Sequence, residues 1–424
     1  MQTNLAPFIK DTAEGKEAEA ILRKCTHCGM CTATCPTYQL LSDELDGPRG
    51  RIYLIKQVLE GATPGPKTQL HLDRCLTCRS CETTCPTGVR YGRLLEIGRP
   101  LVEERVGRPP VEAARRKLLR AVIPTRWLFN PVLALGQLAL PLLPQELQRK
   151  VPPPVAAAKP WPAARHARRM LLLESCAQAS VSPATNVAAA RVLDRLGITL
   201  VRVPNAGCCG AVSLHLSAQE EASGFMRRNI DAWWSRAEAG AEAIVSTASG
   251  CGVTVKDYGH LLARDPAYAD KAKRISALAK DISEVIIAEK DKLSVSSAHR
   301  SPLTAHGRVA FHSPCSLQHG MKLQGKVEVL LTALGYELTP VLDAHLCCGS
   351  AGTYSILQPE LSKRLLANKM AALENGKPAA ILTANIGCQM HLQSATNLPV
   401  RHWIEALDET LSQEHSGKGV GNNF

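Results

Sequence analysis

The stretches CTHCGMCTATCP at 25–36 and CLTCRSCETTCP at 75–86 decide how this chain folds. Each holds four cysteines at the spacing C-x2-C-x2-C-x3-C, followed directly by proline. Three close cysteines on a tight loop reach three irons of a cubane. The fourth cysteine, held by its proline at the start of the next segment, points the other way. This spacing is typical of [4Fe–4S] ligation, and two copies predict two clusters.

The same run is the signature of bacterial ferredoxins, in which the fourth cysteine ligates the other cluster of a two-cluster protein. We therefore assign the eight cysteines in crossed sets. Cluster 1 takes Cys25, Cys28, Cys31 and Cys85, and cluster 2 takes Cys75, Cys78, Cys81 and Cys35. Zinc sites usually use two separated C-x2-C pairs, and disulfides need an oxidising compartment, so both alternatives fit less well.

The composition is that of a soluble globular protein with unusual cysteine use. The chain has 424 residues, 45% hydrophobic and 21% charged, which is enough for two or three domains. Sixteen cysteines indicate metal and redox chemistry. The net charge of +12 favours an acidic partner surface, an anionic membrane or nucleic acid. For any single arginine run, a solvated basic surface is the simpler interpretation.

Targeting signals are not evident in the sequence. The first twenty residues contain no apolar core, so we predict no signal peptide. No apolar stretch reaches the length of about 18 residues that a membrane span needs. The nearest candidate, 127–143, is broken by Pro131 and Pro141.

The amino-terminal quarter reads as a helical module over residues 1–100. A helix over 12–24 leads to Cys25, a second begins at Pro48 and ends at Gly61, and a third leads to Cys75. Residues 101–168 are rich in proline and arginine, which predicts a linker with short helices. Its basic and apolar mixture suits a membrane surface, a partner subunit or a plain surface connector.

The remaining half of the chain contains an internal repeat. In each copy, strand and helix patterns alternate, and 31 residues separate a first cysteine from a Cys-Cys-Gly turn. The pattern predicts two related α/β units with parallel strands, over 169–300 and 301–412, followed by a flexible tail at 413–424. We therefore expect an α+β multidomain chain: a helical two-cluster ferredoxin-like module followed by two α/β units.

Each repeat places four cysteines where strands end, the edge at which open α/β sheets bind ligands. Thiolates near helix starts can bind a metal cluster or perform thiol redox chemistry. A buried cysteine can also be inert packing. The predicted cofactor-binding set is Cys176, Cys208, Cys209, Cys251, Cys315, Cys347, Cys348 and Cys388.

The repeated C-x31-C-C-G motif resembles the cysteine-rich CCG domain of heterodisulfide reductases and related subunits. In that wider family the quartet often ends in C-x2-C, whereas Ala248 and Asn385 stand three residues before the distal cysteines here. Each unit therefore offers four cysteines. The sequence leaves open whether these units bind a further cluster or none.

A closer resemblance, covering almost the whole chain, is to the iron–sulfur subunits of glycolate oxidase (glycolate dehydrogenase). It is carried by 25–61, 71–92, AGCCGA at 206–211, TASGCG at 247–252, HLCCGSAGTY at 345–354 and TANIGCQMH at 383–391. The resemblance implies a subunit that passes electrons from flavin-containing partners, which oxidise glycolate to glyoxylate, toward the quinone pool. It also implies a peripheral position on the cytoplasmic side of the inner membrane.

Other function classes are less favoured. The sequence has no G-x-G-x-x-G after a strand, no P-loop and no H-E-x-x-H, so an electron carrier is favoured over a catalytic subunit. The same role in a lactate or glycerol-3-phosphate dehydrogenase complex is an alternative. A nucleic-acid-binding iron–sulfur regulator would need a reading helix, and we find none, so we expect no nucleic-acid partner. Histidines at 27, 215, 312 and 345 flank the motifs and receive no role.

Overall fold

The computed structural model describes residues 1–144, 148–155, 159–293 and 308–417. The amino-terminal part is helical. Its α-helices are α1 (Pro7–Lys10), α2 (Ala13–Lys24), α3 (Pro36–Leu41), α4 (Pro48–Leu59), α5 (Pro66–Asp73), α6 (Ser80–Thr84) and α7 (Tyr91–Val106). Short 3-10 turns lie at Met30–Thr32 and Glu44–Asp46. The predicted helices before Cys25, after Pro48 and before Cys75 are all present.

Proline begins several of these helices because its fixed φ suits the first helical position and its missing N–H costs nothing there. Pro36, Pro48 and Pro66 all stand at this position. The apolar faces of α2, α4 and α7 meet in one core, built from Leu22, Ile55 and Leu94 among others. Cys25 and Cys81 lie in the same core, so helix packing and the cysteine loops are built together.

The segment predicted as a linker carries two further helices, α8 (Pro110–Val122) and α9 (Arg126–Leu138), and a 3-10 turn at Leu140–Leu142. α9 has no buried residue. In the described part of the chain, none of the helices combines the length and the apolar character that crossing a bilayer requires.

The first repeat forms a parallel sheet of β1 (Arg168–Leu172), β2 (Ile198–Val201), β3 (Ile244–Ser246) and β4 (Ala279–Asp281), in the order β2-β1-β3-β4. Its helices are α10 (Gln178–Val181), α11 (Pro183–Arg195), α12 (Ala211–His215), α13 (Gln219–Glu238), α14 (Ser249–Lys256), α15 (Tyr258–Leu261), α16 (Ala269–Leu278) and α17 (Ile282–Ala288), with a 3-10 turn at Lys290–Lys292.

The second repeat copies this plan. Strands β5 (Val309–His312), β6 (Leu338–Thr339), β7 (Ala380–Thr383) and β8 (Val400–His402) form a parallel sheet in the order β6-β5-β7-β8. Its helices are α18 (Lys326–Ala333), α19 (Tyr354–Leu357), α20 (Pro359–Glu374), α21 (Ile386–Gln393) and α22 (Trp403–Gly417), with a π-helical turn at Ser316–Gly320.

The parallel α/β architecture predicted for both repeats is confirmed. Side chains alternate along β1 and into the residue that follows it. Met170 and Leu172 enter one core, while Leu171 and Leu173 enter another on the opposite face. The first of these cores also takes Phe311 and Trp403, so the two repeats share one apolar interior. The fourth strands, β4 and β8, were not anticipated because neither leads to a cysteine of the repeat.

The domain boundaries proposed from the sequence stay predictions. α7 continues to Val106, past the expected module boundary at residue 100. The residues around the expected boundary at 300–301 lie outside the described ranges. α22 runs to Gly417, and the rest of the predicted flexible tail, 418–424, also lies outside them.

Candidate metal centres

Two neighbouring cavities in the amino-terminal module are lined by the motif cysteines. The first cavity, about 420 Å³ including its open mouth, is lined by Cys25, Cys28, Cys31 and Cys85. The second, about 300 Å³, is lined by Cys35, Cys75, Cys78 and Cys81. Cys81 and Tyr91 contribute to the walls of both, which places the cavities side by side. Cys35 and Cys85 thus line the cavities of the crossed grouping, while Cys81 lines both, and the ligand sets stay a prediction.

The two cysteine loops share an unusual backbone. In the first loop His27 and Gly29 have φ of 62° and 84°, and in the second Thr77 and Arg79 have φ of 53° and 60°. These are the same two positions of the motif. Non-glycine residues rarely adopt positive φ, and where they do the strain commonly marks a functional site. The repeated geometry turns each loop so that its three cysteines face one cavity.

Amide groups point at several of the sulfurs. The Thr77 N–H donates to Cys75 Sγ over 3.5 Å, and the Val89 N–H donates to Cys85 Sγ over 3.4 Å. Burial works against the thiolate of Cys85, but the Thr87 hydroxyl and the Val89 amide lower its pKa below the usual value. Hydrogen bonds of this kind stabilise negative charge on sulfur and tune the potential of a bound cluster.

At three other motif thiols burial outweighs the hydrogen bonds, and the pKa rises. Burial raises the pKa of Cys31 to about 11, and it raises the pKa values of Cys78 and Cys81 well above the usual range. Thiols with such pKa values stay protonated near neutral pH unless a metal displaces the proton. Four converging thiols, apolar walls and amide donors together fit a [4Fe–4S] cluster in each cavity.

A buried arginine lines the second cavity. Arg51 is 1% exposed and donates to Thr37 Oγ1 over 3.1 Å and to the His71 carbonyl over 2.7 Å. Its Nη2 atom also lies 3.4 Å from Asp46 Oδ1. The other carboxylate oxygen of Asp46 accepts a hydrogen bond from Arg74 Nη1 over 2.7 Å. Burial acts to lower the pKa of Arg51, but Cys75, Tyr91 and Cys35 raise it above its usual range. The guanidinium therefore stays charged beside the cluster ligands.

The first CCG quartet lies at the carboxyl edge of its sheet. Its four sulfurs form a chain in which each lies within hydrogen-bonding range of the next, in the order Cys176, Cys208, Cys209, Cys251. Cys208 accepts from its two neighbours and from the Gly210 N–H over 3.5 Å, which lowers its pKa well below the usual value. Cys176 donates to Cys208, and this bond together with burial raises the Cys176 pKa.

The second CCG quartet repeats this arrangement. Cys315 Sγ lies 3.9 Å from Cys347 Sγ, and the Gly349 N–H donates to Cys347 over 3.5 Å. Asn385 Nδ2, at a position where related quartets often have a further cysteine, donates to Cys388 Sγ over 3.4 Å. All eight predicted CCG cysteines are thus brought together in two groups of four, each at a sheet edge.

One residue at the second quartet was not selected from the sequence. His312 ends β5, and one of its ring nitrogens lies with Cys348 Sγ and Cys388 Sγ in a group whose atoms are all within 4.8 Å of one another. Burial lowers the pKa of His312 to about 3, so the ring is neutral. In the sequence, the one sign of a role for His312 was its position three residues before Cys315. That sign was too weak to select it, because a lone histidine beside a loop is commonly a surface or capping residue.

The amino-terminal module contacts both repeats near these sites. Arg79 Nη2 pairs with Asp257 Oδ2 of the first repeat over 2.6 Å. The Thr83 hydroxyl lies 2.9 Å from His319 Nδ1 of the second repeat. Cys78 of the second cavity and Cys315 and Cys347 of the second quartet meet in a small apolar cluster with Leu76. The second CCG quartet therefore adjoins the second cavity.

Comparisons with known proteins agree with this geometry. A family model described as a 4Fe-4S dicluster domain matches residues 21–89. A model described as a cysteine-rich domain, of the CCG type, matches 170–256 and 309–393.

Relatives extend the match over nearly the full length. The chain is 55% identical to the glycolate oxidase iron-sulfur subunit of Escherichia coli (strain K12), over 98% of this chain and 100% of that protein. It is 30% identical to a probable glycolate oxidase iron-sulfur subunit of Bacillus subtilis (strain 168), over 91% of each chain. It is 29% identical to a lactate utilization protein A of Geobacillus thermodenitrificans (strain NG80-2), over 49% of this chain and 84% of that protein. This chain therefore belongs to the family of glycolate oxidase iron–sulfur subunits.

Proposed function

We propose that this chain carries electrons from flavin-containing partner subunits, which oxidise glycolate to glyoxylate, toward the quinone pool. The observation that carries the proposal is the pair of adjoining cavities, one lined by five cysteines and the other by four, with Cys81 common to both. Bound [4Fe–4S] clusters supply the one-electron redox chemistry. The same role in a lactate-oxidising complex is the second candidate, because a lactate utilization protein is among the relatives.

The residues of this chain would hold and insulate the clusters. We propose Cys25, Cys28, Cys31 and Cys85 as ligands of cluster 1, and Cys75, Cys78, Cys81 and Cys35 as ligands of cluster 2. The exposure of Cys28 supports cluster 1 as the centre nearer the surface. The buried charge of Arg51 offsets the negative charge of thiolate ligands at the second cavity. The two CCG quartets are proposed as redox or additional cluster sites.

Peripheral attachment to an anionic bilayer is part of the proposal, and α8 and α9 are the proposed contact. The stretch from Trp127 to Pro144 holds 18 residues and no charged side chain. It exposes apolar side chains to an unusual degree: Trp127 75%, Val132 55%, Leu135 67%, Leu138 80% and Leu142 87%. Exposed Arg115, Lys117 and Arg126 precede this stretch, and Arg149 and Lys150 follow it. Apolar residues flanked by basic ones suit the interface of an anionic membrane.

Co-expression with flavoprotein partners tests the electron-carrier role. The purified complex is supplied with glycolate, lactate or glycerol 3-phosphate, and reduction of a quinone analogue is followed. We expect glycolate to be preferred, and Cys28→Ser or Cys78→Ser to abolish the reduction and bleach part of the visible absorption. A preference for lactate would select the second candidate. Unchanged turnover in both variants would contradict the proposed role.

Vesicle flotation tests the membrane contact. We expect the full chain to float with vesicles containing anionic phospholipid and to float less with zwitterionic ones. Replacing Trp127, Leu135 and Leu138 by Ser should reduce anionic-vesicle binding at least tenfold. Val329→Ser is the matched control, because Val329 is 70% exposed on α18. Loss of partner-subunit binding with unchanged flotation would instead identify this face as a protein interface.

A further inference from the structure

The second CCG unit carries a buried imidazole among its sulfurs. A ring nitrogen of His312, Cys348 Sγ and Cys388 Sγ all lie within 4.8 Å of one another. The three residues are between 2% and 5% exposed. Nitrogen and sulfur donors grouped at such distances, away from water, can bind a single metal ion.

The first CCG unit lacks this imidazole. Aligning Cys176 with Cys315 places Leu173 at the position of His312. Leu173 is 1% exposed and packs in an apolar cluster. The strand end therefore accommodates an apolar side chain in one unit and a polar ring in the other. Since burying a polar ring is costly unless its polar atoms are partnered, the fold alone does not explain the histidine.

Hydrogen bonding prepares the second site for a metal. His312 Nδ1 lies 3.0 Å from the Thr383 hydroxyl. When Nδ1–H donates to this hydroxyl, the lone pair is on Nε2. Metal-binding histidines characteristically donate their other ring nitrogen in this way. Asn385 Nδ2 donates to Cys388 Sγ over 3.4 Å and holds the second ligand.

The two units also place different cations near their quartets. Lys369 of α20 is 3% exposed and donates to the Asp343 carbonyl over 2.9 Å, in the loop that precedes Cys347. At the corresponding place on α13, Asn229 donates to the Cys208 carbonyl over 2.8 Å. The first quartet instead has Arg228, whose charge adds to the hydrogen bonds from Cys176 and Cys209 in lowering the pKa of Cys208, whereas burial lowers the pKa of Lys369. A buried ammonium beside the second quartet offsets the charge that thiolates acquire on binding a metal.

We propose that the second CCG unit holds its own metal centre and that His312 is one of its ligands, with Cys348 and Cys388. The Cys348 thiol donates a hydrogen bond to Cys388, so the two sulfurs of the proposed ligand set are direct neighbours. Thiolate and imidazole suit iron or zinc. This inference rests on the proposed role of the second quartet as a metal site, and it sets that quartet apart from the first.

Metal analysis of the anaerobically purified full chain tests the inference. We expect metal beyond the irons of the two ferredoxin-type clusters, which account for about 8 per chain. X-ray absorption at the edge of the extra metal should show nitrogen as well as sulfur neighbours. Iron at this site would make it a third redox centre, and zinc a structural one; either supports the inference. A chain with about 8 irons and no further metal would overturn it.

Variants separate a ligand from a residue that only packs. His312→Leu, which copies the first unit, should lose at least half of the extra metal and its nitrogen scattering. His312→Cys should retain the metal because it supplies a thiolate. His402→Leu is the matched control: it removes another buried histidine of the same sheet and should leave the metal content unchanged.

The decisive contrary result is wild-type metal content and nitrogen scattering in His312→Leu. Failure of the proposed function would give a different result from failure of this inference. The ferredoxin-type irons, about 8 per chain, would be missing, while the extra metal and its dependence on His312 remained.

Discussion

Arg51 shows how a single residue links the helical core to the proposed chemistry. Its guanidinium is buried against Thr37, His71 and Asp46 and lines the cavity that holds Cys35 and Cys75. A buried charge acts over a short distance through a low dielectric, so it favours the more negative, reduced state of a neighbouring cluster. Arg51 should therefore raise the reduction potential of cluster 2.

Replacing Arg51 by Gln tests this effect. We expect the midpoint potential of cluster 2 to become more negative and that of cluster 1 to change less. Arg51→Lys, which keeps the charge, should shift the potential less than Arg51→Gln. A redox titration followed by electron paramagnetic resonance measures both centres. Equal shifts in the two variants would show that hydrogen-bond geometry, rather than charge, sets the potential.

His402 predicts an acid sensitivity that belongs to the fold. Burial lowers its pKa to about 3, whereas an unfolded histidine titrates near 6.5. Because the unfolded chain takes up the proton first, this contribution to stability is complete above about pH 6.5 and is lost as the pH falls toward 3. Between pH 7 and pH 5 the free energy of unfolding should fall by about 2 kcal/mol from this group alone.

Thermal unfolding of the wild type and His402→Leu at pH 7 and pH 5 measures the effect. The variant should lose less stability over this interval than the wild type. An equal loss in both proteins would mean that other groups, or the clusters themselves, account for the acid sensitivity.

At the scale of elements, each cysteine loop contributes its fourth cysteine, which precedes a proline, to the cavity that the other loop lines. Cys35 precedes α3 and lines the second cavity, while Cys85 lies next to Pro86 and lines the first. The crossing makes each proposed cluster depend on both loops, so neither loop can bind its cluster alone.

Serine variants of these two cysteines test the crossing. Cys85→Ser should alter the same spectroscopic signal as Cys28→Ser, and Cys35→Ser the same signal as Cys78→Ser. Electron paramagnetic resonance of the reduced variants distinguishes the two signals. If Cys85→Ser instead altered the Cys78 signal, ligation would run within each motif and the crossed assignment would be wrong.

Gly50 tests how tightly α4 packs on the turn that carries Asp46. A Cβ at Gly50 would lie 2.2 Å from the backbone oxygen of Glu44, which cannot rotate away. Gly50→Ala should therefore lower the free energy of unfolding by about 1–3 kcal/mol. Gly224→Ala is the control: with no atom within 4 Å, it should stabilise α13 by up to about 1 kcal/mol. Denaturant unfolding measures both, and equal effects would contradict this account of α4.

The sequence predicted these elements where local chemistry determines them. The N1 proline located α4, cysteine spacing located the two loops, and alternating strand and helix patterns located both sheets. The sequence did not predict β4 and β8, because the repeat was recognised from strands that lead to a cysteine and these two do not. It also left His312 without a role, because its nearness to Cys348 and Cys388 depends on sheet pairing between segments far apart in sequence.

At the scale of the whole molecule, the amino-terminal module rests on both repeats, with its second cavity beside Cys315 and Cys347. The proposed order of centres therefore runs from the first cavity, through the second, to the second CCG quartet. The first quartet belongs to the other repeat.

Iron content combined with electron paramagnetic resonance of the anaerobically prepared protein tests the central claim most directly. Two cubane clusters predict a brown protein with at least about 8 irons per chain and signals from two reduced centres. A colourless, iron-free protein that keeps its fold under the same protection from oxygen would contradict the account.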